Sequence, residues 1–423
     1  MCCMYVDEKL DALKSTRLLT YDLKVRRAVT NRVRWYAFKD REVLGIIISN
    51  LLACRRKNNT LVYSRKLGYK AGVSKKAITP TRVIRGVDFL ESIGYIVNHV
   101  GRGSNDPAWR KISWIEPTAK FLEDWNEEEM CMQAEQDYLD SCTVIELRDS
   151  IKMAIPYRNS EHIQRMATTV RKLNVMNEGS VIRDGKGEVL TNIYCRIFNE
   201  SFEYGGRFYR ADILAIKNKD DNARLNITID GEPVVEVDYS NLHFRIAAAM
   251  EDVDVEDIPL DVYSGILEDE TNPVDRRIVK LAVNMMFNCK DEGKAQMAIQ
   301  QEINLLPIED RMQYTLGTAR SVMKLIYDAY PNFTHKFCTA ESFGRVLQNA
   351  DSHLASDILE VMIEKNIPCL PVHDSFIVQF KHMDFLCETM GDCFRKRFNH
   401  EGIVPVGVKW KENGEVVEEK ICV

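Results

Sequence analysis

Two aspartates stand where apolar strand patterns break off. In the stretch EPVVEVDYSNLHFRIAAAM, Val235 and Val237 alternate as the buried side of a strand, and helical spacing takes over just after Asp238. In CLPVHDSFIVQF, two apolar runs flank His373, Asp374 and Ser375, the pattern of a tight hairpin with Asp374 at its tip. A strand-borne carboxylate reaches into a cleft while its backbone stays locked in a sheet, which fixes its geometry. Two of them on one sheet suit phosphoryl transfer, where two Mg2+ ions about 3.5 to 4 Å apart activate the attacking hydroxyl and stabilise the leaving oxygen. Mg2+ needs few protein carboxylates when phosphate oxygens complete its shell, and Mn2+ is expected to substitute for it. A third stretch, DRRIVKLAVNMMFNC, places Arg276 and Lys280 four apart on one face of an amphipathic helix. Arginine offers forked contacts and lysine a point charge, a pair suited to a triphosphate chain. Each signal alone is common: many strands end in Asp, and an Arg/Lys pair is usually a solvated helix face.

The elements needed to position these residues are short alternating strands and longer helices, which interleave after about residue 190 and predict an α+β region. A different segment precedes it. Between Arg55 and Lys111 the chain carries thirteen Lys/Arg against three acids, a basic module that the net charge of -6 over the whole chain conceals. Within it, VLGIIISNLL reads as an apolar helix and SRKLGYKAG as a second. TPTRVIRGVDFLESIGYI reads as a third, opened by Thr79 as N-cap and Pro80 in the first turn. Val83, Val87, Leu90 and Ile93 recur at helical spacing and leave Arg82 and Arg85 toward the exposed side. YIVNHV and WRKISWI then alternate as two strands around GRGSNDP. Three helices and a hairpin resemble a winged helix-turn-helix, with Arg82, Arg85, Lys75 and Lys76 as candidate DNA contacts. A small helical packing module with a solvated basic face is the competing interpretation.

An acidic run from Glu123 to Asp140 follows, so the expected division is a winged-helix-like domain over 1–118, a helical or thumb-like connector over 119–190, and a catalytic α+β domain over 191–423. At 45% hydrophobic residues, the 423-residue chain can bury the cores of two or three such domains. The longest apolar stretches fall short of the ~20 residues that span a bilayer. The first residues turn acidic and lack a secretory pattern, so a cytoplasmic protein without membrane contact is expected. Twelve scattered cysteines with no C-x-x-C pair favour reduced thiols over zinc.

Taken together, Asp-Tyr-Ser at 238–240, Arg-x-x-x-Lys at 276–280 and His-Asp-Ser at 373–375 resemble, in order, motifs A, B and C of the family A DNA polymerases and the related phage-type single-subunit RNA polymerases. GGRFYRAD at 205–212 resembles a Gly-Arg-x-Tyr element that precedes motif A in the RNA enzymes. NADSHLASDIL at 349–359 is similar to the helix leading into motif C. The resemblance covers roughly residues 190 to 423. It implies a right-hand palm and fingers, metal-binding Asp238 and Asp374, His373 beside the primer end, and a triphosphate site from Tyr239, Ser240, Arg276 and Lys280. Arg207 is then a candidate contact to a nucleic-acid backbone, and the partners are a DNA template, a growing strand and nucleoside triphosphates.

The chain departs from that family at the sugar. Five residues after the first Asp, where the DNA polymerases place a Glu, stands His243, still bulky enough to disfavour a 2′-hydroxyl. Where an aromatic and a Gly are usual in the fingers helix stand Asn288 and Cys289, with Phe287 one place early. A hydrogen bond between His243 and Asn288 is the expected alternative gate. Ser375 follows Asp374 as in the RNA enzymes, so the motifs point both ways, with a lean to DNA synthesis. The segment before residue 190 shows no Asp-x-Glu strand motif of a proofreading domain, and the winged-helix-like segment in its place suggests primase-like initiation. The competing functions are a DNA-directed RNA polymerase, a metal nuclease, and a non-catalytic replication initiator with a remnant palm.

Overall fold

A computed structural model describes residues 16–18, 25–55, 60–64, 78–101, 112–216, 222–251, 253, 258–264, 276–311, 314, 318–339, 343–400 and 402–423. The architecture is α+β, arranged as two compact units.

The first unit comprises the described residues within Met1–Val144, Asn177–Ile193 and Ala211–Ile216. Its elements are strand β1 (Thr16–Leu18), helices α1 (Arg27–Val33) and α2 (Arg41–Arg55), strand β2 (Thr60–Ser64), helix α3 (Pro80–Ser92), strands β3 (Ile96–His99) and β4 (Ile112–Pro117), and helices α4 (Ala119–Asp124) and α5 (Glu128–Ser141). Thr79 caps α3 by accepting from the Arg82 amide at 3.4 Å, with Pro80 in the first turn. β3 and β4 pair antiparallel in the expected hairpin, and the sheet continues through β2 to β1. Lys75, Lys76 and the expected second helix lie outside the described residues.

The core of this unit does not stop at Thr118. Phe121 of α4, Trp125 at its C-cap, and Cys131, Ala134 and Tyr138 of α5 are buried with Leu44, Leu51, Val87 and Leu90 of α2 and α3. The Arg26 guanidinium grips Asp137 through two bonds of 2.6 and 2.8 Å. The acidic stretch therefore presents one apolar face to the first unit, and the division falls after Val144, not at residue 118. The expected 119–190 connector is not one body: Ile145–Met176 belongs to the second unit.

The second unit holds the motif-bearing residues. A smaller sheet has β5 (Ile145–Arg148) between β6 (Ala154–Ile155) and β7 (Cys195–Asn199), with β8 (Ser201–Tyr209) beyond β7. The larger sheet is built on β10 (Glu232–Tyr239), entered through a tight turn from β9 (Thr228–Ile229). β10 is central because Val234, Val235 and Val237 are fully buried. On one side of it lies the hairpin β11 (Leu370–Val372) and β12 (Ser375–Gln379); on the other, β13 (Pro405–Glu412) and then β14 (Glu415–Cys422).

Helix α6 (Glu161–Gly179) follows β6 in the chain, and helix α7 (Leu242–Met250) follows β10 directly. Helices α8 (Arg276–Asn288), α9 (Glu292–Leu305) and α10 (Thr318–Ala329) pack on one another, and α12 (Met383–Phe398) backs the sheet. Helix α11 (Phe343–Glu364) is the hub, touching β8, α7, α8 and α12. Two glycines permit its close approaches. Gly206 has φ +91°, and a Cβ there would meet the Phe198 ring at 2.5 Å and Ser352 Oγ at 2.8 Å. At Gly344 a Cβ would stand 2.2 Å from Asn288 Oδ1, so a larger residue there would have to displace the Asn288 side chain at the end of α8.

Candidate active site

The register of the larger sheet brings the two aspartates together. Asp238 faces Ser375 across the β10–β12 pairing, and Asp374 is the residue before Ser375. The turn that displays Asp374 is formed by His373 in the left-handed region, φ +62°, an uncommon conformation for a non-glycine residue. Asp238 stays open to solvent and Asp374 half-buried. Crowding by surrounding protein, then the charges of Asp374 and Glu236, push the Asp238 carboxyl above the usual carboxylate range, while Lys280 and Lys409 pull it back. Two oxygen-donor carboxylates that repel each other in this way fit a hard divalent cation, whose charge relieves the repulsion. Among the described residues no three His, Cys, Asp or Glu side chains converge on a metal position.

The cationic helix forms as expected. Ile278, Val279, Ala282, Val283, Met286 and Phe287 bury one face of α8 and leave Arg276 and Lys280 exposed on the other. Lys280 acts electrostatically on Asp238. Arg276 is paired with Asp261 at 2.5 Å and lies over the Tyr263 ring, so a triphosphate would have to compete for it.

The other candidate residues have contacts of their own within the second unit. The Tyr239 side chain points into the core and donates to the Met390 carbonyl at 2.7 Å, because strand alternation sends it opposite to Asp238. Ser240 is half-exposed, its amide bonded to the Pro405 carbonyl at 2.9 Å. Phe287 is buried against Phe337 and Phe343 and offers no ring for base stacking. The expected His243–Asn288 hydrogen bond is not formed: Asn288 donates to Asn284 O at 2.8 Å within its own helix, and His243 has other partners. His373 sits edge-on to Tyr209, ring centroids 5.9 Å apart, with its buried Nδ1 unpartnered. Burial and then Arg207 push its pKa down, which keeps the ring uncharged near neutrality.

Arg207, expected to contact nucleic acid, is held by a residue that sequence reasoning missed. Its Nε lies 3.0 Å from Asp351 Oδ2, and its Nη2 bonds the same oxygen. His243 Nε2 lies 2.7 Å from that oxygen as well. Burial works against the Arg207 charge, yet the bonds to Asp351 carry its pKa above the ordinary value, with Asp374 adding to the pull. The sequence held a signal: Asp351 falls on the apolar face defined by Leu347, Leu354 and Ile358, where an acid needs a partner. Glu236, an acid inside the apolar strand β10, was missed in the same way.

In the first unit, Arg82 is occupied by Asp40 at 2.7 Å and Glu42 at 3.1 Å, whereas Arg85 is exposed. No helix among the described residues is long and apolar enough to cross a membrane. No protein-family model matches the chain, and a search of curated proteins returns no match.

Proposed function

We propose that this chain is a cytoplasmic, template-directed nucleotidyltransferase that adds nucleotides to a 3′-hydroxyl, DNA-templated and leaning to DNA synthesis. The observation that carries this reading is the placement of Asp238 on β10 beside the β11–β12 turn that displays Asp374, with Lys280 within electrostatic reach of Asp238. Asp238 and Asp374 would hold Mg2+, which when bound lowers the barrier to attack by the 3′-hydroxyl and to departure of pyrophosphate. Lys280, and Arg276 once released from Asp261, neutralise the triphosphate and orient it for in-line displacement. His373, fixed by its turn, packs beside the reacting ends and positions them. Arg85 on α3 anchors template duplex through its phosphates.

The test is extension of a labelled primer on a DNA template with Mg2+, offering deoxynucleotides and ribonucleotides separately, with and without primer. Templated product that disappears in Asp374→Ala supports the proposal, the accepted nucleotide names the sugar, and product without primer establishes initiation. Absence of product under every condition from a protein that binds DNA tightly favours the non-catalytic initiator.

A further inference from the structure

Glu236 is the acidic residue closest along β10 to Asp238. The two are separated by one residue and so project from the same face of the strand, roughly 7 Å apart along it. Glu236 is not itself open to solvent: its side chain is 8% exposed, and Arg224, at 16%, lies against it. One oxygen, Oε1, accepts from Arg224 Nη1 at 2.6 Å and from Ser375 Oγ at 3.0 Å. Ser375 is both the residue after Asp374 and the cross-strand partner of Asp238. Arg224 comes from the short turn Ala223–Asn226, which is tied to β13 where Lys411 Nζ donates to Asn226 Oδ1 at 2.6 Å. A buried carboxylate thus links the base of the Asp374 turn to a cation held from outside the sheet. A strand residue that served packing alone would be apolar here, as Val234, Val235 and Val237 are, because burying an ion pair costs more than burying a valine.

We infer that Glu236 and Arg224 act as a positioning and charge-balancing pair for the cation site, Glu236 fixing Ser375 and hence the Asp374 turn, and Arg224 offsetting the third negative charge beside two aspartates. The assignment rests on the reading of Asp238 and Asp374 as cation ligands. Glu236 touches neither cation nor substrate in this role, and its effect passes through Ser375 and through the field at Asp238. The two partners oppose each other in sign. Removing the Glu236 charge leaves the Arg224 cation uncompensated near the site, and removing Arg224 leaves an extra anion there.

The experiment is titration of the full chain with Mn2+, followed by the loss of the free-ion electron paramagnetic resonance signal, with Asp374→Asn as the control for site occupancy. Glu236→Gln, which keeps a hydrogen-bonding oxygen and the side-chain shape, is expected to weaken Mn2+ binding about tenfold, as removal of outer groups at metal sites commonly does. Arg224→Gln is expected to tighten it, and the double variant to return toward wild type. Weakening in both single variants, or change in neither while wild type binds, overturns the inference and leaves the cation site standing, since a merely structural pair would move both variants in one direction. Failure of wild type to bind Mn2+ in a way that Asp374→Asn abolishes overturns the reading beneath it and the inference with it. Should Glu236→Gln not fold, the sign of the Arg224→Gln change decides alone.

Discussion

Asp351 Oδ2 lies 2.7 Å from His243 Nε2 and also receives the Arg207 guanidinium, so one buried carboxylate ties helix α11 to both helix α7 and strand β8. His243 Nε2 also lies 3.1 Å from Arg207 Nη2, so the three side chains meet at one point. His243 stands five residues beyond Asp238, and its ring orientation is set from the far side by a residue distant in sequence.

Breaking that clamp leaves charges buried without partners. Asp351→Ala is expected to destabilise the protein by about 3 to 5 kcal/mol, and Asp351→Asn by less because the amide oxygen still accepts. Urea unfolding at neutral pH measures both; a loss below about 1 kcal/mol for the alanine variant would show that the clamp contributes little.

Asp374→Asn removes the charge that opposes ionisation of Asp238. Without divalent cations the variant is expected to melt at or slightly above the wild-type temperature, whereas the stabilisation that wild type gains from excess Mg2+ is lost. Thermal melts with EDTA and with Mg2+ compare the two; equal Mg2+ stabilisation of variant and wild type would remove Asp374 from the cation site.

Acid should weaken the second unit through His353. Burial, then Arg196 and Arg397, then His162 push its pKa from the ordinary 6.5 down to about 3. A base depressed in the folded state contributes full stability above about pH 6.5 and loses it progressively as the pH falls toward 3, because the unfolded chain binds the proton first. His353→Gln is expected to flatten the fall in melting temperature across that window. A variant whose pH profile runs parallel to wild type would assign the acid sensitivity to other groups.

Gly344→Ala tests the packing of α11 against α8. The added methyl must displace Asn288 Oδ1 from 2.2 Å, which is expected to cost about 1 to 3 kcal/mol. Asn288→Ala in the same background opens the space and should recover most of the loss, read from urea midpoints. No recovery would locate the strain elsewhere.

Arg82 and Arg85 are expected to separate in a DNA-binding titration at several salt concentrations. Arg85→Ala should lower the salt dependence by about one counterion, the signature of one lost phosphate contact. Arg82→Ala should mainly lower the stability of the first unit, since it breaks the pairing with Asp40 and Glu42. Equal salt slopes for Arg85→Ala and wild type would remove Arg85 from the DNA surface.

Elements dictated by local periodicity and turn chemistry were legible in the residues alone. The strand around Val235 and Val237, the hairpin at Asp374, the amphipathic helix bearing Arg276 and Lys280, and the Thr79–Pro80 helix start all follow from alternation, 3.6-residue spacing and capping, and all are present. Tertiary structure decided what depends on partners far away in the chain. Asp351 with Arg207 and His243, Glu236 with Arg224 and Ser375, and Arg276 with Asp261 are pairings of opposite charges or donors whose meeting is set by sheet register and helix packing, which no window of neighbouring residues encodes. The division after Val144 has the same origin: an acidic stretch reads as solvated in sequence, yet its intervening Trp125, Ala134 and Tyr138 find a core supplied by helices many residues earlier. Charge marks which face of such a segment meets water, and only packing reveals what the other face meets.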